Sequence, residues 1–128
     1  MIATKPGAEP AVEPWHETVT AVGAITKLVR NAAGAATADY LGLFAENVEL
    51  DLPLERRMEF LQQGLGSVGA VGAAEGMPEF ERPSCARWTL LAEHGTMELE
   101  IELMPVAPFA VQTFSATMVR GGGRVKLF

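Results

Sequence analysis

The sequence has a single cysteine, and this scarcity limits the class of protein. Because Cys85 has no second cysteine to pair with, no disulfide can form within one chain. Small secreted domains usually depend on several disulfides, so the sequence does not fit that class. The first residues, MIATKPGAEPAVEP, also lack the apolar run of a secretory signal peptide. We therefore expect a cytoplasmic location.

Long hydrophobic runs and positive charge are also scarce. No stretch approaches the roughly 18 apolar residues of a membrane-spanning helix, so we expect no membrane partner. Ten lysines and arginines stand against sixteen aspartates and glutamates, which gives a formal net charge of −6. Nucleic-acid binding needs a basic surface. The basic residues near the end of the sequence are too few to form one, so we expect no nucleic-acid partner.

The chain does have enough apolar residues to build a core. Hydrophobic residues make up 48% of its 128 positions, which suits one domain of ordinary size. Residues 1–12 contain prolines and a glycine and are predicted to be a disordered arm. Residues 13–128 are predicted to form a single α+β domain.

Apolar residues at helical spacing predict three helices in the first half of the domain. The first begins near Pro14 and is expected to bury one face, made of Trp15, Val19, Val22, Ile25 and Val29. A short second helix would place three apolar side chains on one face, namely Tyr40, Leu41 and Phe44. A third helix opens at Pro53 and would bury Leu54, Met58, Leu61 and Leu65. Its solvent face would carry Glu55, Arg56, Arg57 and Glu59.

The second half changes to the alternating pattern of strands. An irregular first strand is predicted within residues 67–75, and two clear strands, 85–93 and 96–104, flank a turn at His94-Gly95. Residues 109–118 and 124–128 add two more. Alternation predicts that Trp88, Leu90, Leu99 and Ile101 are buried, whereas Glu98 and Glu100 face solvent or a partner. Helices followed by strands indicate an α+β fold, with N-terminal helices packed on an antiparallel sheet.

Three motifs could carry chemistry, and each has a simpler explanation. The segment Gly64 to Gly69 matches GxGxxG, but a helix precedes it and no helix follows, so it is better explained as a helix end than as a dinucleotide site. Cys85 could pair with His16 or His94 as a nucleophile, yet a lone cysteine is usually a small buried hydrophobe. Two histidines without helical spacing do not form a metal site. We therefore assign no catalytic residue and expect no cofactor and no metal.

Polar residues on otherwise apolar faces are the better candidates for a site. Gln112 has the same strand parity as Phe114 and Met118, so it is expected to face the helices. Tyr40 and His16 lie on or beside apolar helix faces. A buried polar group needs a partner, which is either an internal hydrogen bond or a ligand.

Part of the sequence resembles a known protein family. The stretch from Tyr40 to Met118, which includes FLQQGLGSVGAV and ARWTLLAEHGTMELEIELMPVAPFAVQTFSATM, resembles the small N-terminal domain that precedes β-lactamase-like serine hydrolases of the clavulanic-acid cluster type. That domain is similar to the cystatin-like cone of the nuclear transport factor 2 and ketosteroid isomerase-like superfamily. The resemblance implies a curved sheet wrapped on helices with a pocket between them. It transfers no catalytic residue, because the inward strand positions carry no Asp or Glu.

These observations leave two hypotheses for function. The first is a protein with a pocket that binds a hydrophobic small molecule. In its catalytic form, this hypothesis is a cyclase, isomerase or lyase of bacterial secondary metabolism. Its walls are predicted to be Trp15, Trp88, Phe114 and Met118, and its polar contacts His16, Tyr40 and Gln112. The second is a non-catalytic accessory or dimerisation module, since no convincing catalytic set is present. We expect a homodimer that forms through the open face of the sheet.

Overall fold

The computed structural model describes residues 12–32 and 37–128, so the predicted disordered arm lies outside the described residues except for Val12. The helical half comprises α1 (His16–Arg30), two short 3₁₀ turns (Thr37–Asp39 and Leu41–Leu43), α2 (Glu46–Asp51) and α3 (Leu54–Val68). The strands that follow are β1 (Val71–Ala74), β2 (Glu79–Arg82), β3 (Cys85–Ala92), β4 (Gly95–Leu103), β5 (Val111–Arg120) and β6 (Gly123–Lys126).

These strands form one curved antiparallel sheet, and the helices pack on one of its faces. The strands β3, β4, β5 and β6 are neighbours in space as they are in sequence. The other edge of β3 is shared, because β2 pairs with its first half and β1 with its second half. The predicted α+β class, with N-terminal helices packed on an antiparallel sheet, is confirmed.

The register of β3 and β4 also agrees with the prediction. Trp88 lies opposite Leu99, and Leu90 lies opposite Met97. These four side chains and Ile101 are buried against the helices. Glu100 is exposed on the other face, and Glu98 is partly covered there by Arg124. Because the apolar and charged residues alternate strictly, only one pairing of the two strands buries all the apolar side chains. The sequence pattern therefore determines the register.

The buried face of α1 differs from the prediction. Val19 is 50% exposed and Val22 is only partly buried, whereas the buried side chains are Thr18, Ala21, Ile25, Leu28 and Val29. The hydroxyl of Thr18 donates a 2.6 Å hydrogen bond to the carbonyl oxygen of Pro83, just before β3. The backbone N–H of Trp15 donates to the same oxygen at 3.1 Å. These bonds turn Thr18 toward the sheet, and the positions three or four residues further on follow it.

The predicted second helix is replaced by the two 3₁₀ turns. Tyr40 lies between them and is partly buried, Leu41 is exposed, and Phe44 is buried just after the second turn. The helix α2, which the sequence pattern did not predict, begins next. It is positioned by Ala45, whose N–H donates a 2.7 Å hydrogen bond to the carbonyl oxygen of Val111 in β5.

The third helix extends beyond Gly64 and Gly66, the two ends that the sequence suggests, and its solvent-exposed face differs from the prediction. Leu54, Met58 and Leu61 are buried as expected, and Leu65 is partly buried. The helix continues past Gly64 to Val68, and the C-cap residue Gly69 has a φ of +87°. Arg57 was assigned to the solvent face, but it is buried. It lies three residues after Leu54 and four before Leu61, so it shares their side of the helix.

Candidate functional site

An apolar groove lies between α1, the second 3₁₀ turn and the loop that joins β4 to β5. Its volume is about 270 Å³. We call it the α1 groove; its lining residues are His16, Glu17, Thr20 and Ala21 of α1, Gly42 and Leu43 of the turn, and Pro108, Phe109 and Ala110 of the loop. The helix contributes the polar groups and the other two segments contribute the apolar surface. The arrangement gives an apolar floor with an imidazole and a carboxylate beside it.

Phe109 shapes one wall of this groove through an unusual backbone conformation. Its φ is +57°, in the left-handed region that residues with a Cβ adopt only at a cost. Its N–H donates a 2.8 Å hydrogen bond to the carbonyl oxygen of Val106, which closes the loop. Its ring packs on Trp15, with centroids 5.4 Å apart and planes at 58°. Strained residues of this kind are often found where a site is built.

Two of the predicted pocket walls lie inside the packed core instead of around a cavity. Trp88 is buried, and its indole N–H donates a 2.9 Å hydrogen bond to the hydroxyl oxygen of Thr26. Phe114 is buried between two aromatic rings. Its centroid lies 5.7 Å from that of Phe44 and 4.9 Å from that of Phe128. The space between helices and sheet at these positions is occupied by side chains.

Gln112 does not take the buried, helix-facing position that strand alternation predicted. A β-bulge makes Val111 the partner of Leu103 and Thr113 the partner of Glu102, so Gln112 is an additional residue between them. Val111 takes the buried position, and Gln112 is partly exposed. Its side-chain amide donates to the carbonyl oxygen of Leu103 at 3.3 Å.

The predicted ligand-binding residues are therefore spread over several places. His16 lines the α1 groove, and Trp15 adjoins it through the Phe109 ring. Tyr40 lies between the 3₁₀ turns, and Met118 is partly buried opposite Met97 in the sheet. Leu43 and Phe109 belong to the groove but were not predicted. Phe109 is not a glycine, so nothing in the sequence signals its left-handed conformation.

The open face of the sheet carries paired charges. Arg124 makes two hydrogen bonds to the carboxylate of Glu98, at 2.7 and 2.8 Å, and this pairing raises the pKa of Arg124. Glu100 pairs with Arg87 at 3.4 Å. These residues border a shallow depression of about 260 Å³ together with Leu99, Ser115 and Thr117. Carboxylates held by arginines in this way are poor candidates for a general base.

Cys85 lies at the start of β3 in a small polar cluster. Its sulfur lies 2.9 Å from Arg82 Nη2 and 3.1 Å from Glu102 Oε2, and Arg82 also pairs with Glu102. Burial, and then the hydrogen bond with Glu102, raise the pKa of the Cys85 thiol, while Arg82 lowers it by less. The thiol therefore keeps its proton, which weakens it as a nucleophile.

In residues 12–32 and 37–128, no three side chains of histidine, cysteine, aspartate or glutamate lie close enough together to hold a metal ion. None of the helices in these ranges has both the length and the apolar character needed to cross a membrane. No protein-family model, curated protein or solved structure matches the chain.

Proposed function

We propose that this chain binds a small hydrophobic molecule in the α1 groove. The main support is the conformation of Phe109. Its backbone is in an unfavourable region, and its ring packs against Trp15 and forms one wall of the groove. Ligand sites are commonly concave, mostly apolar and supplied with a few polar groups. The α1 groove has this composition, with His16 able to donate or accept a hydrogen bond.

The size of the groove limits the ligand. Drug-sized molecules occupy pockets of roughly 300–1,000 Å³, and the α1 groove measures about 270 Å³. A single ring or a short branched chain fits this volume, such as a monoterpenoid or a small aromatic. His16, Glu17 and Thr20 are the lining side chains that can exchange protons or hydrogen bonds. With so few groups, we favour binding over the cyclase, isomerase or lyase form of the hypothesis.

The test is a nuclear magnetic resonance titration with a panel of small terpenoid and aromatic compounds. Binding in the groove should shift the methyl signals of Ala21, Leu43 and Ala110 first. Leu43→Asp should abolish these shifts, because a carboxylate would then occupy the apolar floor. The matched control is Leu50→Asp at an exposed position of α2, which should bind as the wild type does. Shifts that are absent, or that persist in Leu43→Asp, would refute the proposal.

A second candidate function is self-association through the open face of the sheet. The carboxylates of Glu98, Glu100 and Glu102 are each paired with an arginine, so the face has no excess of one charge at these positions. Leu91 lies on the same face and is 45% exposed. Balanced charge with an exposed leucine suits contact with a second copy of the chain. The curved sheet behind N-terminal helices also supports our proposal that the fold belongs to the cystatin-like cone superfamily.

A further inference from the structure

The segment after β6 lies in a recess between α3 and β5. The N–H of Leu127 donates a 2.8 Å hydrogen bond to the carbonyl oxygen of Ala116, and Ala116 donates back to Phe128 at 3.3 Å. The side chain of Leu127 lies over Gly64, where an added Cβ would come within 2.7 Å of its Cδ1. Gly64 is thus part of the recess, because a larger residue would displace Leu127.

The ring of Phe128 lies between an aromatic side chain and a cation. Its edge meets Phe114, with centroids 4.9 Å apart and planes at 74°. The guanidinium carbon of Arg57 lies 5.4 Å from the Phe128 centroid. We call this position the Phe128 seat; its walls are Arg57, Phe114 and Ala116. Phe128 is itself partly exposed, so the seat opens to solvent.

Arg57 is a buried cation with weak partners. It is 7% exposed and donates to the backbone carbonyls of Leu52 (3.1 Å), Val48 (3.3 Å) and Phe114 (3.5 Å). The last two distances are long for hydrogen bonds. In the described part of the chain no carboxylate lies within 4.0 Å of it. Burial lowers its pKa, although Asp51 and Glu49 oppose this from further away. A buried charge without a close counter-ion is costly.

We propose that the Phe128 seat is a binding site for an aromatic carboxylate, which displaces Phe128. The aromatic ring of the ligand would take the position that the Phe128 ring now holds against Phe114. Its carboxylate would pair with the guanidinium of Arg57, whose planar fork matches a carboxylate in geometry and charge. The seat shares no residue with the α1 groove, so this site does not depend on the function proposed above.

Displacement of Phe128 is feasible because its backbone hydrogen bonds are long. Leu127 is held by its side chain over Gly64 and by its 2.8 Å hydrogen bond to Ala116. Beyond its ring, Phe128 is held only by longer backbone hydrogen bonds with Ala116, of 3.4 Å from its N–H and 3.3 Å to its oxygen. The preceding strand β6 keeps its own pairing with β5 from Thr117 to Arg120. Movement of the Phe128 ring therefore leaves the pairing of β6 with β5 in place. The wild type is then only partly competent to bind, which weakens its apparent affinity.

Calorimetric titration of the full chain with phenylpropanoate tests the site. Phe128→Ala vacates the seat, so it should bind at least about tenfold more tightly than the wild type. Phenylpropanamide, which has the same shape but no charge, should bind Phe128→Ala about tenfold more weakly than phenylpropanoate. Equal affinity for acid and amide would overturn the role of Arg57, and absence of binding to Phe128→Ala would overturn the site.

The chain offers a matched control and a direct readout. Arg56 lies 5.2 Å from the centroid of Phe60 in a similar pairing, but its side chain is 56% exposed and bound to Glu59. Phe60→Ala should therefore gain no affinity for phenylpropanoate; a gain equal to that of Phe128→Ala would contradict the proposal. Arg57→Gln would change a buried residue and so disturb the fold itself. The Nε–H signal of Arg57 is therefore followed in Phe128→Ala. It should move on titration with the acid, and about tenfold more of the amide should be needed for half of the change.

Discussion

The indole N–H of Trp88 and the hydroxyl oxygen of Thr26 are joined by a 2.9 Å hydrogen bond. The bond connects the buried face of β3 to the middle of α1. The hydroxyl of Thr26 in turn donates to the carbonyl oxygen of Val22 at 2.7 Å, within its own helix. A buried indole N–H needs an acceptor, and Thr26 is placed to provide it. This contact fixes where the first helix crosses the sheet.

Replacing Thr26 by valine should therefore destabilise the fold. The variant Thr26→Val keeps the shape of the side chain but leaves the indole without its acceptor. We expect the free energy of unfolding to fall by about 1–3 kcal/mol, which is typical of an orphaned buried donor. Denaturant unfolding measures the change. Thr20→Val, at an exposed position of the same helix, should change stability by less than about 0.5 kcal/mol. Similar losses in both variants would contradict this account.

Phe109 allows a test of its backbone strain separately from its ring. Both Phe109→Ala and Phe109→Gly remove the ring, but alanine keeps a Cβ at a φ of +57°. That conformation costs about 1–2 kcal/mol for residues other than glycine, and the extra freedom of unfolded glycine offsets about 0.4–1 kcal/mol. The glycine variant should thus be the more stable by about 0.5–1 kcal/mol in denaturant unfolding.

The matched control for Phe109 is Phe80 in β2, whose φ is not in the left-handed region, although the pairing of β2 with β3 is irregular there. There the order should reverse, with Phe80→Ala more stable than Phe80→Gly, because glycine weakens a strand. An alanine variant that is more stable than the glycine variant at both positions would show that the Phe109 backbone is not strained.

The sheet could be predicted from the sequence because its alternating pattern is compatible with only one strand register. Met97, Leu99, Ile101 and Leu103 alternate with glutamates, so a shift of one residue would bury charges. The face of α1 could not be predicted in this way, since apolar residues lie on more than one side of the helix. The buried side includes Thr18, whose hydrogen bond to Pro83 joins residues 65 positions apart and is not visible in the helical pattern.

The candidate sites were harder to predict because they depend on contacts between distant segments. The bulge at Gln112 adjoins the pairing of Phe44 with Val111, residues 67 positions apart. Arg57 could have been placed correctly from its spacing to Leu54 and Leu61, but its charge argued for the surface. Charged residues are seldom buried without a partner. Such exceptions to local rules are often the functional positions.

Self-association through the open sheet face predicts a concentration-dependent mass. Light scattering of the wild type should approach twice the mass of one chain at high protein concentration. Leu91→Asp should lower the dimer fraction, because it buries a carboxylate at the contact. The matched control is Val125→Asp in β6, which is 49% exposed and lies opposite Met118 of the helix-facing row. A single-chain mass for the wild type at every concentration would exclude the dimer.

The raised pKa of Cys85 predicts how stability changes above neutral pH. The folded thiol holds its proton more tightly than the unfolded thiol, whose pKa is about 8.5. Its contribution to stability is therefore fully present below that pH and is lost as the pH rises through the folded pKa. The stability difference between the wild type and Cys85→Ala, measured by denaturant unfolding, should shrink with rising pH in this range.

The neighbours of Cys85 should move its pKa in opposite directions. Glu102→Gln removes a carboxylate that favours the protonated thiol, so the pKa should fall; Arg82→Gln removes a cation that favours the thiolate, so the pKa should rise. Thiolate absorbance followed against pH measures both, with Cys85→Ala as the blank. Because the two substitutions remove opposite charges from one cluster, a general loosening of the fold would shift both titrations the same way. Shifts of the same sign would therefore contradict the electrostatic explanation.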